Sequence, residues 1–477
     1  MTEKVVLVSG NFNVLHPGHM RLLRFARECG TRLLVAVYSD RIAGEGAHVP
    51  EALRLEGLLS NGWVDSAFLI DEPIVDVIER IRPDIVVKGK EHENAFNPEV
   101  PALGKYGGRL LFSSGESVFS SVDLLRKEFL DASFRSISLP VDFMARHGID
   151  PSKIQGLLHK FASVNVCVVG DLIIDEYISC QPLGMSQEDP TIVVTPIDSK
   201  LFIGGAGIVA AHAAGMGAQV QFISVTGIDR PREFGERELS AAAVSATLLA
   251  DDSRPTTLKQ RFRCQGKTLL RVSHLHQAAI SVQLQAQLLE QVEAAMPDID
   301  LLVFSDFNYG CLPQSVVDKI TTIAKARGVM LAADSQSSSQ VGDVSRFRGM
   351  DLLTPTEREA RLALRNREDG LVVLAEGLRQ QSSVGNILLK LGEEGLLIHA
   401  AGGGANDWLT DRVGVLNAAP RDVAGAGDSL LITSALTLAS GGNIWEAACL
   451  GSLAAAVQVG RVGNTPLRTN ELLRELS

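Results

Sequence analysis

Cysteine is scarce and scattered in this 477-residue chain: Cys29, Cys167, Cys180, Cys264, Cys311 and Cys449, with no Cys-x-x-Cys pair among them. That spacing argues against a zinc site and a disulfide framework, and it fits reduced thiols in a cytoplasm. A basic surplus is missing too. Lys and Arg total 45 against 56 Asp and Glu, a net charge of −11. Such a balance argues against a nucleic-acid or anionic-membrane partner and obliges an anionic substrate to find local cations. The longest apolar runs are broken by Gly or polar residues, so no membrane span is expected. Met1-Thr-Glu-Lys leads straight into the strand-like Val5-Val-Leu-Val, so no signal peptide is expected either. No repeat recurs at solenoid periods. What is there, 45% hydrophobic and 21% charged residues, is the composition of a globular enzyme, and the length points to two domains.

The chain opens with a buried-strand pattern, Lys4 to Ser9, closed by Gly10. Asn11-Phe12-Asn13-Val-Leu-His16-Pro17-Gly18-His19 follows, and then the amphipathic Met20-Arg-Leu-Leu-Arg-Phe-Ala-Arg. Pro17 suits the first turn of a helix, and Gly18 keeps the backbone accessible. Two imidazoles at a helix start after a strand make a phosphate site, with donors, a favourable dipole and no competing carboxylate. A zinc pair or two surface histidines are the alternatives, but no third ligand follows at metal-site spacing.

This stretch, with the strand Leu33 to Asp40, Arg54, Pro83-Asp-Ile-Val-Val-Lys88-Gly89, Gly108 to Phe112 and Phe119-Ser120-Ser121, resembles the cytidylyltransferase-like nucleotidyltransferases. The resemblance implies a Rossmann-like domain over residues 1–130. It assigns triphosphate binding to His16, His19 and Lys88, nucleotide or phosphate contacts to Asn11, Phe12, Gly18 and Arg54, and a phosphate grip to Ser120 and Ser121. Asn13 stands where the closer members of that family carry Asp.

Periodicity lapses from about Asp131 to Gly148, which reads as a linker over 131–150 ending in a short helix from Pro151 to Phe161. Asn165-Val-Cys-Val-Val-Gly170-Asp171-Leu-Ile-Ile-Asp175 opens a second α/β domain over 151–477, with two acids where open sheets bind ligands. Asp175 is a candidate grip on sugar hydroxyls or a turn-capping Asp. Ile192 to Pro196, Thr256 to Arg263 and Thr268 to Val272 read as a small lid sheet able to exclude water. Gly204-Gly205-Ala-Gly207 runs into a small-residue helix, permitting close backbone approach to a polyhydroxy ligand. Strands at Leu301–Asp306, Val329–Asp334, Leu352–Pro355 and Asn386–Gly392 alternate with helices, as in a largely parallel sheet.

The stretch on which the domain turns is Asp422-Val-Ala424-Gly425-Ala426-Gly427-Asp428, which runs into the apolar segment Leu430 to Leu438. Two glycines at a helix start offer free amides to an anion, and Asp428 is either an N-cap or a base for an attacking hydroxyl. With Val169-Gly-Asp-Leu-Ile-Ile-Asp-Glu-Tyr177 and Ser186-Gln-Glu188-Asp-Pro190, this motif resembles the ribokinase-like sugar kinases. Among these it is most similar to the heptose 7-phosphate kinases of ADP-heptose synthesis, and the first domain is similar to the matching heptose 1-phosphate nucleotidyltransferases. In that family the kinase half comes first; here the order is reversed.

The resemblance implies transfer from Mg·ATP with Asp428 as base, Gly392 and Ala424 to Gly427 as nucleotide and phosphate contacts, and Asp175, Glu188, Gly204 and Gly205 on the sugar. It also implies Glu359 ordering Mg2+ through water and a dimer joined through the lid. Ala424, Ile208, Gln336 and Thr356 depart from the family's Thr, Asn, Lys and Asn. Two alternatives stay open: a kinase and cytidylyltransferase fusion acting on another sugar or polyol phosphate, or one domain silent and serving as a sugar-phosphate-binding module.

Overall fold

The computed structural model describes residues 4–15, 17–89, 92, 96–113, 137–264, 267–336, 342–402 and 408–476. It divides into two compact units, Met1–Arg135 and Ser136–Ser477.

In the first unit the strands β1 (Val5–Gly10), β2 (Arg32–Tyr38), β3 (Ser66–Ile70), β4 (Ile85–Gly89) and β5 (Arg109–Ser113) form one parallel sheet in the order β3-β2-β1-β4-β5. Strand β1 lies at its centre, with Val6, Leu7 and Val8 fully buried. The side chains of Val6 and Val8 pack toward one apolar cluster and that of Leu7 toward another, as alternation along a strand covered on both faces requires. Order reverses beside β1, which leaves the crevice at its C-terminal end, after Gly10, as the place for a ligand.

The second unit holds two sheets. Strands β6 (Asn165–Gly170), β9 (Gln219–Thr226), β10 (Ser245–Ala250), β13 (Leu301–Asp306), β14 (Met330–Ser335), β15 (Leu352–Leu353), β16 (Asn386–Lys390), β17 (Leu396–Ala401) and β18 (Trp408–Val413) form the larger one. Its order is β10-β9-β6-β13-β14-β15-β16-β17-β18, parallel up to β16 and antiparallel beyond. Strands β7 (Leu172–Met185), β8 (Ile192–Gly205), β11 (Thr257–Cys264) and β12 (Lys267–His274) make the smaller sheet, in the order β12-β11-β7-β8.

The expected lid is therefore present, but it is larger than the sequence pattern suggested. Gly170 ends β6 with Ser305 O and the Ala206 methyl packed against its bare face, and after Asp171 the chain passes into the smaller sheet. Asp175 consequently belongs to a lid strand and not to the end of a core strand. From Val141 the segment read as linker forms a helix, Val141–Arg146, with Phe143 and Met144 buried in the second unit's core, and Ile137 bridges Asn417. Two apolar residues three and four positions before His147 were too few to register as a period, but the His147 ring stacks on Trp445 with centroids 3.9 Å apart and bonds Asp411 at 2.7 Å.

Among the described residues no helix is long and apolar enough to cross a membrane. All six cysteines are free thiols.

Gly170→Ala is expected to lower stability by about 1–3 kcal/mol, since its methyl would overlap the Ser305 carbonyl. Gly156→Ala, exposed in the helix Pro151–Lys160 with open space around it, is expected to raise stability by roughly 0.5–1 kcal/mol. Thermal or denaturant unfolding of the two variants checks both signs.

Candidate active site

The loop before the helix Ala426–Ala439 turns through Gly425, whose φ of +76° lies in the left-handed region. A Cβ there would collide with Asn464 Oδ1, so glycine is required twice over. A helix start leaves its first amides without intrahelical acceptors. Here the amide of Ala426 turns back to Val423 O at 3.4 Å and that of Ser429 to Gly425 O at 3.0 Å. Asp422 braces the turn from below: Oδ1 accepts Ala424 N at 3.1 Å, and Oδ2 accepts Gly463 N at 3.1 Å and the Tyr177 hydroxyl at 2.8 Å.

Asp428, in the first turn, is buried, and its one hydrogen-bond partner among the described residues is Gln336 Nε2 at 3.1 Å. Burial, and then the charge of Asp334, push its carboxyl up to about 7, with the Lys390 ammonium pulling the other way. Asp334 is itself raised to about 6 by burial, although Lys390 Nζ donates to its Oδ2 at 2.9 Å. A carboxyl near neutrality accepts a proton at working pH without holding it too tightly, which is what a general base needs.

A cavity of about 500 Å³ opens over this helix start, and its lining includes Asp175, Gly205, Lys259, Arg261, Glu359 and Asp428. Asp175 comes to it from β7, held by an ion pair with Arg261 and by Asn464 Nδ2 at 3.3 Å. Gly204 and Gly205 pair with β7 at its base. A Cβ on the first would strike Asp175 Oδ2, and one on the second would stand 2.5 Å from Asp171 O.

The departures find local accommodation. Thr356 caps the helix Glu357–Leu364 through a capping box with Glu359, accepting Glu359 N at 3.2 Å while Glu359 Oε2 accepts Thr356 N at 2.8 Å. Ile208 is wholly buried in the core, and Gln336 reaches Asp428. Ala424 lines the cavity. Gly392 begins a 3₁₀ turn after β16, in the left-handed region and with open space around it. Glu188 lies exposed near the lid tip, its amide donating to Ser186 Oγ at 3.1 Å, and it does not line the cavity.

In the first unit, Asn11, Phe12 and His19 gather after β1. The Phe12 and His19 rings lie 5.1 Å apart, and His19 Nδ1 bonds Val14 O at 2.9 Å. Gly18 lies in the first turn of the helix Pro17–Glu28, whereas His16, Ser120 and Ser121 lie outside the described residues.

Arg54 is buried and spends its guanidinium internally, on Val49 O at 2.7 Å, Asn11 O at 2.8 Å, Tyr38 O at 2.9 Å and Asp40 Oδ1 at 2.5 Å. It is a strut between β2, the loop after β1 and the next helix. Lys88 donates to the buried Glu99 Oε1 at 2.8 Å. Asn13 ties the loop ahead of Arg54: Nδ2 donates to Gly46 O at 2.8 Å, and Oδ1 accepts His48 N at 2.8 Å.

Sequence reasoning missed Arg261, Asn464, Asp334 and Lys390. Lys390 and Asp334 each carried a signal, as the lone charge ending an apolar strand, Asn386-Ile-Leu-Leu in one case and Val329-Met-Leu-Ala-Ala in the other.

The sheet order, the lid and the helix start at Gly425 are those of a transferase with a ribokinase-like body and a Rossmann-like domain ahead of it. Residues 164–470 match the pfkB family carbohydrate kinases, and residues 7–106 the cytidylyltransferase-like family. The chain belongs to the pfkB family of carbohydrate kinases. It is 29% identical over 328 residues to the bifunctional protein HldE of Syntrophotalea carbinolica, covering 68% of this chain and 65% of that one. To the protein of the same name in Rhodopseudomonas palustris strain TIE-1 it is 31% identical over 327 residues, covering 67% and 65%. The chain thus spans about two thirds of the length of these curated relatives. Among solved structures, phosphofructokinase-2 of Escherichia coli superposes with a TM-score of 0.54 at 16% identity, covering 66% of this chain and 98% of that one. The ribokinase of Thermotoga maritima gives 0.52 at 20%, covering 66% and 99%.

Two outcomes are expected. Asp428→Asn is expected to raise the melting temperature by an amount that grows from about pH 4 and levels off above about pH 7. The folded carboxyl, near 7, lies above its ordinary 3.8, so the stability its protonation confers is complete below about pH 4 and lost as pH rises through 7; Asn mimics the protonated form throughout. Asn13→Asp is expected to remove the donor to Gly46 O and to speed hydrogen exchange at the His48 amide, read by mass spectrometry.

Proposed function

We propose that the chain joins two activities of nucleotide-sugar synthesis: phosphorylation of a sugar phosphate by the second unit, and nucleotidyl transfer to a sugar 1-phosphate by the first. The observation that carries the kinase reading is Asp428, a buried carboxyl raised to about 7 in the lining of a cavity that Asp175 also lines. A hydroxyl held by Asp175 and the Gly204–Gly205 backbone loses its proton to Asp428 as its oxygen attacks the γ-phosphorus in line. Amides of the Gly425–Asp428 turn meet the charge that develops on the phosphoryl oxygens.

Lys259 and Arg261 on the lid face supply cations that the net charge of −11 otherwise withholds. They support an already phosphorylated sugar, and the similarity to the HldE proteins supports heptose 7-phosphate attacked through its C1 hydroxyl, with ADP-heptose as the eventual product. Among the described residues no three His, Cys, Asp or Glu side chains cluster to hold a metal. That suits Mg2+ carried by the phosphate oxygens of ATP with its own waters, which Glu359 at the cavity wall would orient. The exposed apolar side chains Leu183, Met185, Ile192, Val193 and Ile197 support pairing of two copies through their lids.

In the first unit His16, His19 and Lys88 would stabilise attack of a sugar 1-phosphate oxygen on the α-phosphorus, with pyrophosphate leaving. A second reading draws on the internal engagement of Arg54 and Lys88: the first unit binds a sugar phosphate or nucleotide without turning it over.

Incubation of the full chain with heptose 7-phosphate and Mg·ATP is expected to give a bisphosphate, with kcat/KM rising through about pH 7 as Asp428 ionises. Asp428→Asn is expected to lose turnover by ~10²–10⁴. Heptose 1-phosphate with each nucleoside triphosphate is expected to give a nucleotide-heptose and pyrophosphate. Binding without product in that second reaction favours the second reading, and no product in either removes heptose.

A further inference from the structure

We infer that Lys390 is a catalytic cation of the kinase site, its ammonium contacting the phosphoryl group in transfer above the first turn of the helix Ala426–Ala439; this rests on the kinase reading. Lys390 closes β16 after the fully buried Ile387, Leu388 and Leu389, and its amide donates to Pro355 O at 2.8 Å, so its backbone is fixed by the sheet. From there the side chain runs to Asp334 Oδ2. A Cβ placed on Gly427 would stand 3.2 Å from Lys390 Nζ and 3.9 Å from Gln336 Nε2. Ammonium and carboxamide therefore overhang the bare face of Gly427, which lines the cavity with Gly425 and Asp428.

Of the other cations lining that cavity, Arg261 is bound to Asp175, Lys259 lies over the rings of Phe307 and Tyr309, and Arg358 is exposed at the rim. Lys390 is thus the cation at the helix start. Charge makes it necessary there. The groups that bear on Asp428 are Asp334 from β14, Asp175 from β7, Lys259 from β11 and Lys390 from β16, and Glu359 bears on Lys390 itself. A phosphoryl group entering among those carboxylates needs a positive charge beside the amides.

In the step itself, the acceptor oxygen forms its bond to the γ-phosphorus. The bond to the bridging oxygen breaks with its electron pair going to the nucleoside diphosphate, and the hydroxyl proton passes to Asp428. Lys390 neutralises the equatorial oxygens without exchanging a proton.

The test compares the full chain with Lys390→Met and Lys390→Arg, with circular dichroism confirming the fold of each. Met is expected to lower kcat by ~10²–10³ with the sugar KM changed by less than about twofold, and Arg to restore part of the loss. The acid limb of kcat/KM is expected to move to higher pH in Met, because the field that holds the Asp428 carboxyl down is gone. A lysine that only braces Asp334 would move that limb as well, since its charge is lost either way, but would leave kcat on the plateau above the limb and the Mg·ATP affinity unchanged. Calorimetric titration with Mg·ATP, without sugar, is expected to show affinity weakened by about tenfold or more in Met. Equal kcat on that plateau with equal Mg·ATP affinity overturns the inference. Absence of phosphoryl transfer in the unsubstituted chain overturns the kinase reading instead, and the titration then decides Lys390 alone: equal Mg·ATP affinity overturns it.

Discussion

The second unit is organised around a shortage of positive charge among buried carboxylates at the C-terminal edge of its large sheet. An ionised carboxylate taken out of water is costly unless a cation or several amides attend it. Each member of the group meets that demand differently. Asp306 has Arg346 at 2.8 Å, Asp251 has Arg254 at 2.7 Å, Asp334 has Lys390 and Asp175 has Arg261. Asp171 has no cation among the described residues but accepts the amides of Phe307, Tyr309 and Cys311. Asp428 alone of these has, among the described residues, a single neutral amide donor. The residue least well provided for is the one we propose as the base.

Much of this frame was legible in the sequence because it is local. The glycine turn into an apolar helix, the paired glycines ahead of Ala206 and the alternation of strands with helices each occupy a dozen residues or fewer, and their physics is that of backbone freedom and burial. What was not legible is what the fold brings from far away. Arg261 lies 86 positions from the Asp175 it pairs with, and Asn464 lies 289 positions away. No periodicity carries such information. The sheet switch after Gly170 was hidden for a different reason. Val166 to Ile174 is apolar on both sides of the switch, and a run of that kind reads equally well as one strand or two.

The substituted positions show how a site can keep its geometry while changing its letters. Thr356 caps a helix as an Asn would, because both offer a side-chain oxygen at the right distance. Asn13 does what an Asp could not, since only the amide both donates to Gly46 O and accepts from His48 N. Arg54 teaches the converse: an arginine near an expected phosphate site is spent on carbonyls and Asp40, and its residue type alone gave no sign of that.

One residue, Asp171, separates the core strand β6 from the lid strand β7, and it is fastened by three amides of the segment after β13. The base of the lid is therefore inherited as part of the core and not as an appended flap. The 14-residue strands β7 and β8 shift register only farther out, at Ser179/Cys180 and Pro182/Gly184. A lineage could lengthen, trim or repaint the outer half of that hairpin while Asp175, Gly204 and Gly205 kept their places. The chemistry at the base and the identity of the tip are thus free to evolve at different speeds.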